Sequence, residues 1–91
     1  MESEKQIVEN FSKQMVEKLD LRKDRYVPLA WKTLDFKRLI FLLYEEIAEL
    51  QDAYNEDNLE LAAGDAVDIA NYGMFIRELI IKQKQNDSGK S

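Results

Sequence analysis

Four carboxylates carry the clearest chemistry in this sequence: Glu46 and Glu49, then Asp65 and Asp68. Each pair is spaced i, i+3, which puts both members on one side of a helix. Glu46 projects between Leu39, Leu42 and Ala53, inside an apolar stripe, and Glu49 lies at its margin. Asp65 falls near the middle of a second stripe, with Asp68 beside Leu61 and Phe75. An ionised acid in such a position is costly unless a cation accompanies it. Acids brought close together cannot all stay ionised without compensation, and a divalent ion held by oxygen donors supplies it. Such an ion could activate water toward phosphorus, with nearby cations stabilising the developing charge. The alternative is ion pairing with Lys18, Arg22, Lys23 or Arg25, and the helical wheel leaves both open.

The elements that must position these acids follow from periodicity. Ile7, Val8, Phe11, Met15 and Leu19 recur at helical spacing behind Ser3, a candidate N-cap, and predict a first helix over residues 4–19. Lys18 lies within that stripe, either snorkelling to water or aimed at a phosphate. Residues 20–32 read as a linker, because Pro28 holds Val27 extended. Arg22, Lys23, Arg25, Lys32, Tyr26 and Trp31 sit in it. Two readings remain: a solvated loop whose tryptophan plugs the core, or a basic flap with an aromatic face for a base.

Thr33 or Asp35 can cap a second helix running to about residue 54, with Phe36, Leu39, Leu43, Ile47, Leu50 and Tyr54 on its main face. Phe41, Tyr44 and Ala48 form a second apolar side, which calls for a second partner. A polar turn, Asn55 to Asn58, leads into a third helix over residues 59–84, antiparallel to the second. Leu61, Ile69, Tyr72, Ile76 and Leu79 define its main face, and Ala63, Val67, Ala70, Met74 and Ile81 a second. Gly64 and Gly73 each cost that helix up to about 1 kcal/mol, which close packing would explain. The expected organisation is one all-α domain over residues 1–84, an antiparallel bundle of about three helices, and a flexible tail over 85–91.

Composition narrows the chemistry further. The chain of 91 residues fits one domain, and a lone domain of that size buries only about 60% of its unfolded surface. Dimerisation is an ordinary remedy. There is no cysteine and no histidine, which excludes disulfides, thiolate and imidazole catalysis, and Cys/His zinc sites. Any metal must be one that oxygen ligands suit: magnesium, manganese or calcium. The net charge of -5 argues against broad binding to nucleic-acid backbones. The start, MESEKQIVEN, does not look like a signal peptide, and the apolar run Leu39 to Tyr44 is too short to span a membrane. The expected location is cytoplasmic.

The run YEEIAELQDAY, then ELAAGDAVDIANYGMFI, resembles the all-α nucleoside triphosphate pyrophosphohydrolases of the MazG type, in their short single-domain branch. The family signature is EExxE on one helix and ExxD on the next. Glu45, Glu46 and Glu49 match the first part; Asp65 and Asp68 match the second, with aspartate where glutamate is usual. Ile69, Ala70, Asn71 and Tyr72 resemble the family's DVANF string, and Lys18, Leu19 and Trp31 match upstream positions, although Arg22 stands where an asparagine is expected.

This resemblance implies hydrolysis of a (deoxy)nucleoside triphosphate to the monophosphate and pyrophosphate, with magnesium or manganese as cofactor. Glu46, Glu49, Asp65 and Asp68 would be metal ligands, and Glu45 a helper acid for water. Lys18 would meet the phosphates, Trp31 the base, and Asn71 the sugar or phosphate; Arg22, Lys23 and Tyr72 stand beside them as further candidate substrate-binding residues. A homodimer or homotetramer built on a four-helix-bundle-type core is implied as well. Two rivals stand beside it: a non-catalytic nucleotide-binding module, and a helical interaction module with ion-paired acids.

Overall fold

The computed structural model describes residues 2–21 and 30–88. Every regular element among them is helical: α1 (Glu4–Leu21), a short 3-10 turn (Ala30–Thr33), α2 (Phe36–Asn55) and α3 (Leu59–Ser88). Arg22, Lys23, Arg25, Tyr26 and Pro28, with the expected basic flap, lie outside the described residues, as do residues 89–91. No described helix is long and apolar enough to cross a membrane.

The helix starts are written in side chains. Ser3 Oγ accepts from Gln6 N at 3.2 Å while Gln6 Oε1 accepts from Ser3 N at 3.0 Å, a reciprocal capping box that opens α1. Asp35, rather than Thr33, caps α2, its Oδ1 accepting from Arg38 N at 2.8 Å. The Thr33 hydroxyl instead donates to Ala30 O at 2.8 Å and closes the 3-10 turn. Asn58 Oδ1 accepts from Leu61 N at 3.3 Å at the start of α3.

α2 and α3 form an antiparallel hairpin, and the core lies along their seam. Leu39, Tyr72 and Phe75 are its buried centre, with Trp31, Leu34, Leu43 and Leu79 packed against them. Burying Phe75 and Leu39 stabilises the fold by roughly 1.5–3 kcal/mol each. α3 extends four residues beyond its expected end and is about 45 Å long against about 30 Å for α2, so its last turns overhang the hairpin.

The expected faces need three corrections. Leu61 is 52% exposed, and Phe36 and Tyr54 also face outward, although all three were placed on main faces. Near the turn it is the small Ala53 and Ala62 that are buried. Two helices joined by a tight turn lie close at that end, where methyl groups fit and a leucine does not. One residue is about 100° of rotation, enough to move Leu61 out and Ala62 in.

α1 lies on α3 and buries no residue fully. Its C-terminal half is half-buried at Met15, Lys18 and Leu19, whereas Ile7 and Val8 are exposed.

Candidate metal centre

The turn between α2 and α3 sets the register of the acids. Asn58 N donates to Ala53 O at 2.9 Å and Asp57 N to Tyr54 O at 3.1 Å, the paired bonds of a Schellman motif. Asp57 takes the left-handed position at φ 60°. Glu49 and Asp65 each lie eight residues from Asp57, and Glu46 and Asp68 each lie eleven. In an antiparallel hairpin, residues equidistant from the turn stand at the same level. The acids therefore face one another in two rungs, about 12 and 16 Å from the turn at 1.5 Å per residue.

Three of them come together. Glu46, Glu49 and Asp65 each offer a carboxylate oxygen, all within 4.8 Å of one another. Around one octahedral magnesium ion neighbouring oxygens stand about 3 Å apart and only an opposed pair about 4.2 Å, so the three would draw together by up to about 2 Å to share one ion. Burial is graded, with Asp65 only 4% exposed, Glu46 half-buried and Glu49 open to solvent. Asp65 forms the floor of the group and Glu49 its mouth. Asp65 Oδ2 is shut away from solvent and accepts no hydrogen bond among the described residues, an orphaned acceptor that a cation would suit. Burial pushes the Asp65 carboxyl above the ordinary aspartate range; repulsion from Asp68 adds to this and Lys18 offsets part of it.

The fourth acid is engaged elsewhere. Asp68 Oδ2 lies 3.2 Å from Lys18 Nζ, joining α3 to α1 in a partly buried ion pair. Lys18 reaches it by crossing Gly64, where a Cβ would stand 3.4 Å from Nζ and 3.5 Å from Cε. Gly64 and Asp68 are one helical turn apart, so a cation passing over one meets the other. A groove of about 320 Å3 opens beside this pair, lined by Gln14, Glu17, Lys18, Leu21, Gly64 and Val67. Asn71, fully buried, donates from Nδ2 to Met15 O at 3.2 Å, a second tie between α3 and α1. Its Oδ1 accepts nothing among the described residues.

The other candidate residues are dispersed. Glu45 is exposed and outside the three-acid group. Tyr72 is buried edge-on against Phe75, their ring centroids 5.5 Å apart. Trp31 stacks on Phe75 at 4.5 Å and 13°, which places it in the core as one of its two readings held. Phe75 follows Asp65 by ten residues, about 15 Å along α3, and that separates Trp31 from the acids within one chain. Lys32 Nζ stands 5.8 Å from the Trp31 ring.

Two features were not read from the sequence. Close packing at Gly64 is expected from its helix cost, but not that a long side chain crosses there; its place one turn before Asp68 was the available signal. The Met15 carbonyl had no signal, since a backbone acceptor has no residue type. No family model, curated protein or solved structure matches this chain.

Proposed function

We propose that this chain is a magnesium-dependent nucleoside triphosphate pyrophosphohydrolase acting as a homo-oligomer in the cytoplasm. The carrying observation is the gathering of Glu46, Glu49 and buried Asp65 from two antiparallel helices into a single ion-sized group. The motif resemblance supplies the reaction class, the break between the α and β phosphates.

Glu46, Glu49 and Asp65 would hold the ion, with Asp68 completing the set. The ion would offset phosphate charge and polarise the bond to be broken. Lys18, open to the groove beside α3, would meet the phosphates, with Arg22 and Lys23 as further cations. Glu45 would take a proton from the attacking water; Trp31 and Tyr72, which pack on Phe75 in their own chain, and buried Asn71 would reach the base and sugar only in a site completed by a second subunit. Manganese would serve in place of magnesium because the donors are all oxygens.

Association is supported by apolar surface. Phe41 and Tyr44 on the outer side of α2 are 51% and 67% exposed, and Leu59, Leu61 and Ile80 are exposed on α3. Packing one α2–α3 hairpin on another would cover such surface and build a four-helix core.

A panel of ribo- and deoxyribonucleoside triphosphates assayed for pyrophosphate, with magnesium or with EDTA, tests this reading. Magnesium-dependent release from at least one triphosphate is expected, abolished in folded Glu49→Ala. Wild-type rates in that variant would remove Glu49 from the site. The Lys18–Asp68 pair and the Trp31–Phe75 stack favour a second reading, a helical interaction module with ion-paired acids. That module would show no turnover and a melting temperature indifferent to magnesium, whereas a nucleotide-binding module would bind with magnesium and release nothing.

A further inference from the structure

We propose that Lys18 is a built-in counter-ion, which holds Asp68 in the metal-free chain and gives up that carboxylate when a divalent ion binds. The inference rests on the metal-centre reading above and adds a competition within it.

Four observations carry it. The hairpin register sets Asp68 level with Glu46 and one turn from Asp65, the position of a fourth ligand. Its Oδ2 is nevertheless drawn to Lys18 Nζ at 3.2 Å, while Glu46, Glu49 and Asp65 form the ion-sized group without it. The cation comes from α1, which has no fully buried residue, so it can leave Asp68 without disturbing the α2–α3 core. Gly64 leaves the amine its path, and the adjoining groove of about 320 Å3 gives it somewhere to swing.

The physical consequence is reciprocal. A cation at Asp68 and an ion among the acids compete for the same negative charge, so each lowers the affinity of the other. In the metal-free chain Lys18 reduces the repulsion among carboxylates that would otherwise oppose folding. With the ion in place, that duty passes to the metal and the lysine is released toward the phosphates.

The test is Mn2+ binding to the full chain, read from the electron paramagnetic resonance of free Mn2+, with melting curves with and without Mg2+. Lys18→Met is expected to bind Mn2+ about tenfold tighter than wild type, having lost a competing unit charge. Its metal-free form melts lower and gains more from Mg2+, and Lys18→Arg stays near wild type in both measurements. Asp68→Asn is expected to bind about tenfold more weakly, having lost a ligand. Gly64→Leu, should Lys18→Met not fold, displaces the amine while leaving its charge on the chain and shifts affinity in the same direction as Lys18→Met. Unchanged or weaker Mn2+ binding in the Lys18 variant, with melting lowered equally in both conditions, would make the pair a plain strut between α1 and α3 and overturn the proposal. No Mn2+ binding by wild type would be a different failure, that of the metal centre itself.

Discussion

The α2–α3 hairpin and helix α1 are built on different terms. The hairpin buries Leu39, Ala53, Ala62, Val67, Tyr72 and Phe75, closes with a Schellman turn, and aligns its acids by register. α1 buries nothing fully, and among the described residues its ties to the rest include the Lys18–Asp68 ion pair, the Asn71–Met15 bond and the partial packing of Leu19. Rigidity and adjustability are thereby separated. On the proposed reading, the element that would hold the ion ligands is the packed one, and the element that would bring the competing cation is not.

The largest effect expected from this contrast is in the core. Phe75→Ala removes a ring that is 2% exposed and stacked on Trp31, and should cost about 3–5 kcal/mol in urea unfolding. Replacing exposed Ile7 and Val8 by serine should cost under about 0.5 kcal/mol each. Equal losses at the two places would break the contrast.

Asp65→Asn comes next. The folded-state pKa of Asp65 is raised, so the ionised form is the one folding disfavours. The contribution of Asp65 to metal-free stability should therefore become more favourable as pH falls from neutral through that raised value, and be complete below about 4. Without metal at neutral pH the variant should be more stable than wild type, and the difference should close in acid. In saturating magnesium the order should reverse, because the variant has lost a ligand. Melting over a pH series with and without magnesium checks both signs.

The two glycines of α3 sharpen the comparison further. The close packing expected at Gly73 is not found: a Cβ there would meet nothing within 4 Å, so Gly73→Ala should stabilise the isolated chain by up to about 1 kcal/mol. A fall in oligomer mass on size exclusion with the same variant would place a second copy against that face. Smallest is Asp57→Gly, which relieves a left-handed residue at φ 60° and should add about 0.5 kcal/mol in thermal unfolding. A loss there would mean that the Asp57 side chain supports the turn.

How much of this was legible in the sequence follows the same division. The helices, the Ser3 and Asn58 caps and the antiparallel hairpin came from local spacing, where period and turn chemistry act over a few residues. The facing of Glu49 with Asp65 was legible too, because a short turn leaves little freedom of register. The exposure of Leu61 was not, since a wheel averages over a whole helix and the tight turn selects small residues only at its near end. The partner of Lys18 was not legible either. Lys18 and Asp68 are fifty residues apart, and several acids were equally eligible until α1 was laid on α3. Whether Trp31 filled the core or faced a ligand turned on its contact with Phe75, which no local pattern encodes.

The central claim is that the hairpin alone builds one divalent-ion site. Its most direct test is paramagnetic broadening of backbone amide signals by Mn2+ added to the full chain below one equivalent. The account predicts broadening centred on residues 46–49 and 65–68, lost on competition with excess Mg2+ and absent in Asp65→Asn. Broadening centred instead on exposed acids such as Glu4, Glu9 or Glu56, or spread evenly over the acidic surface, would contradict it.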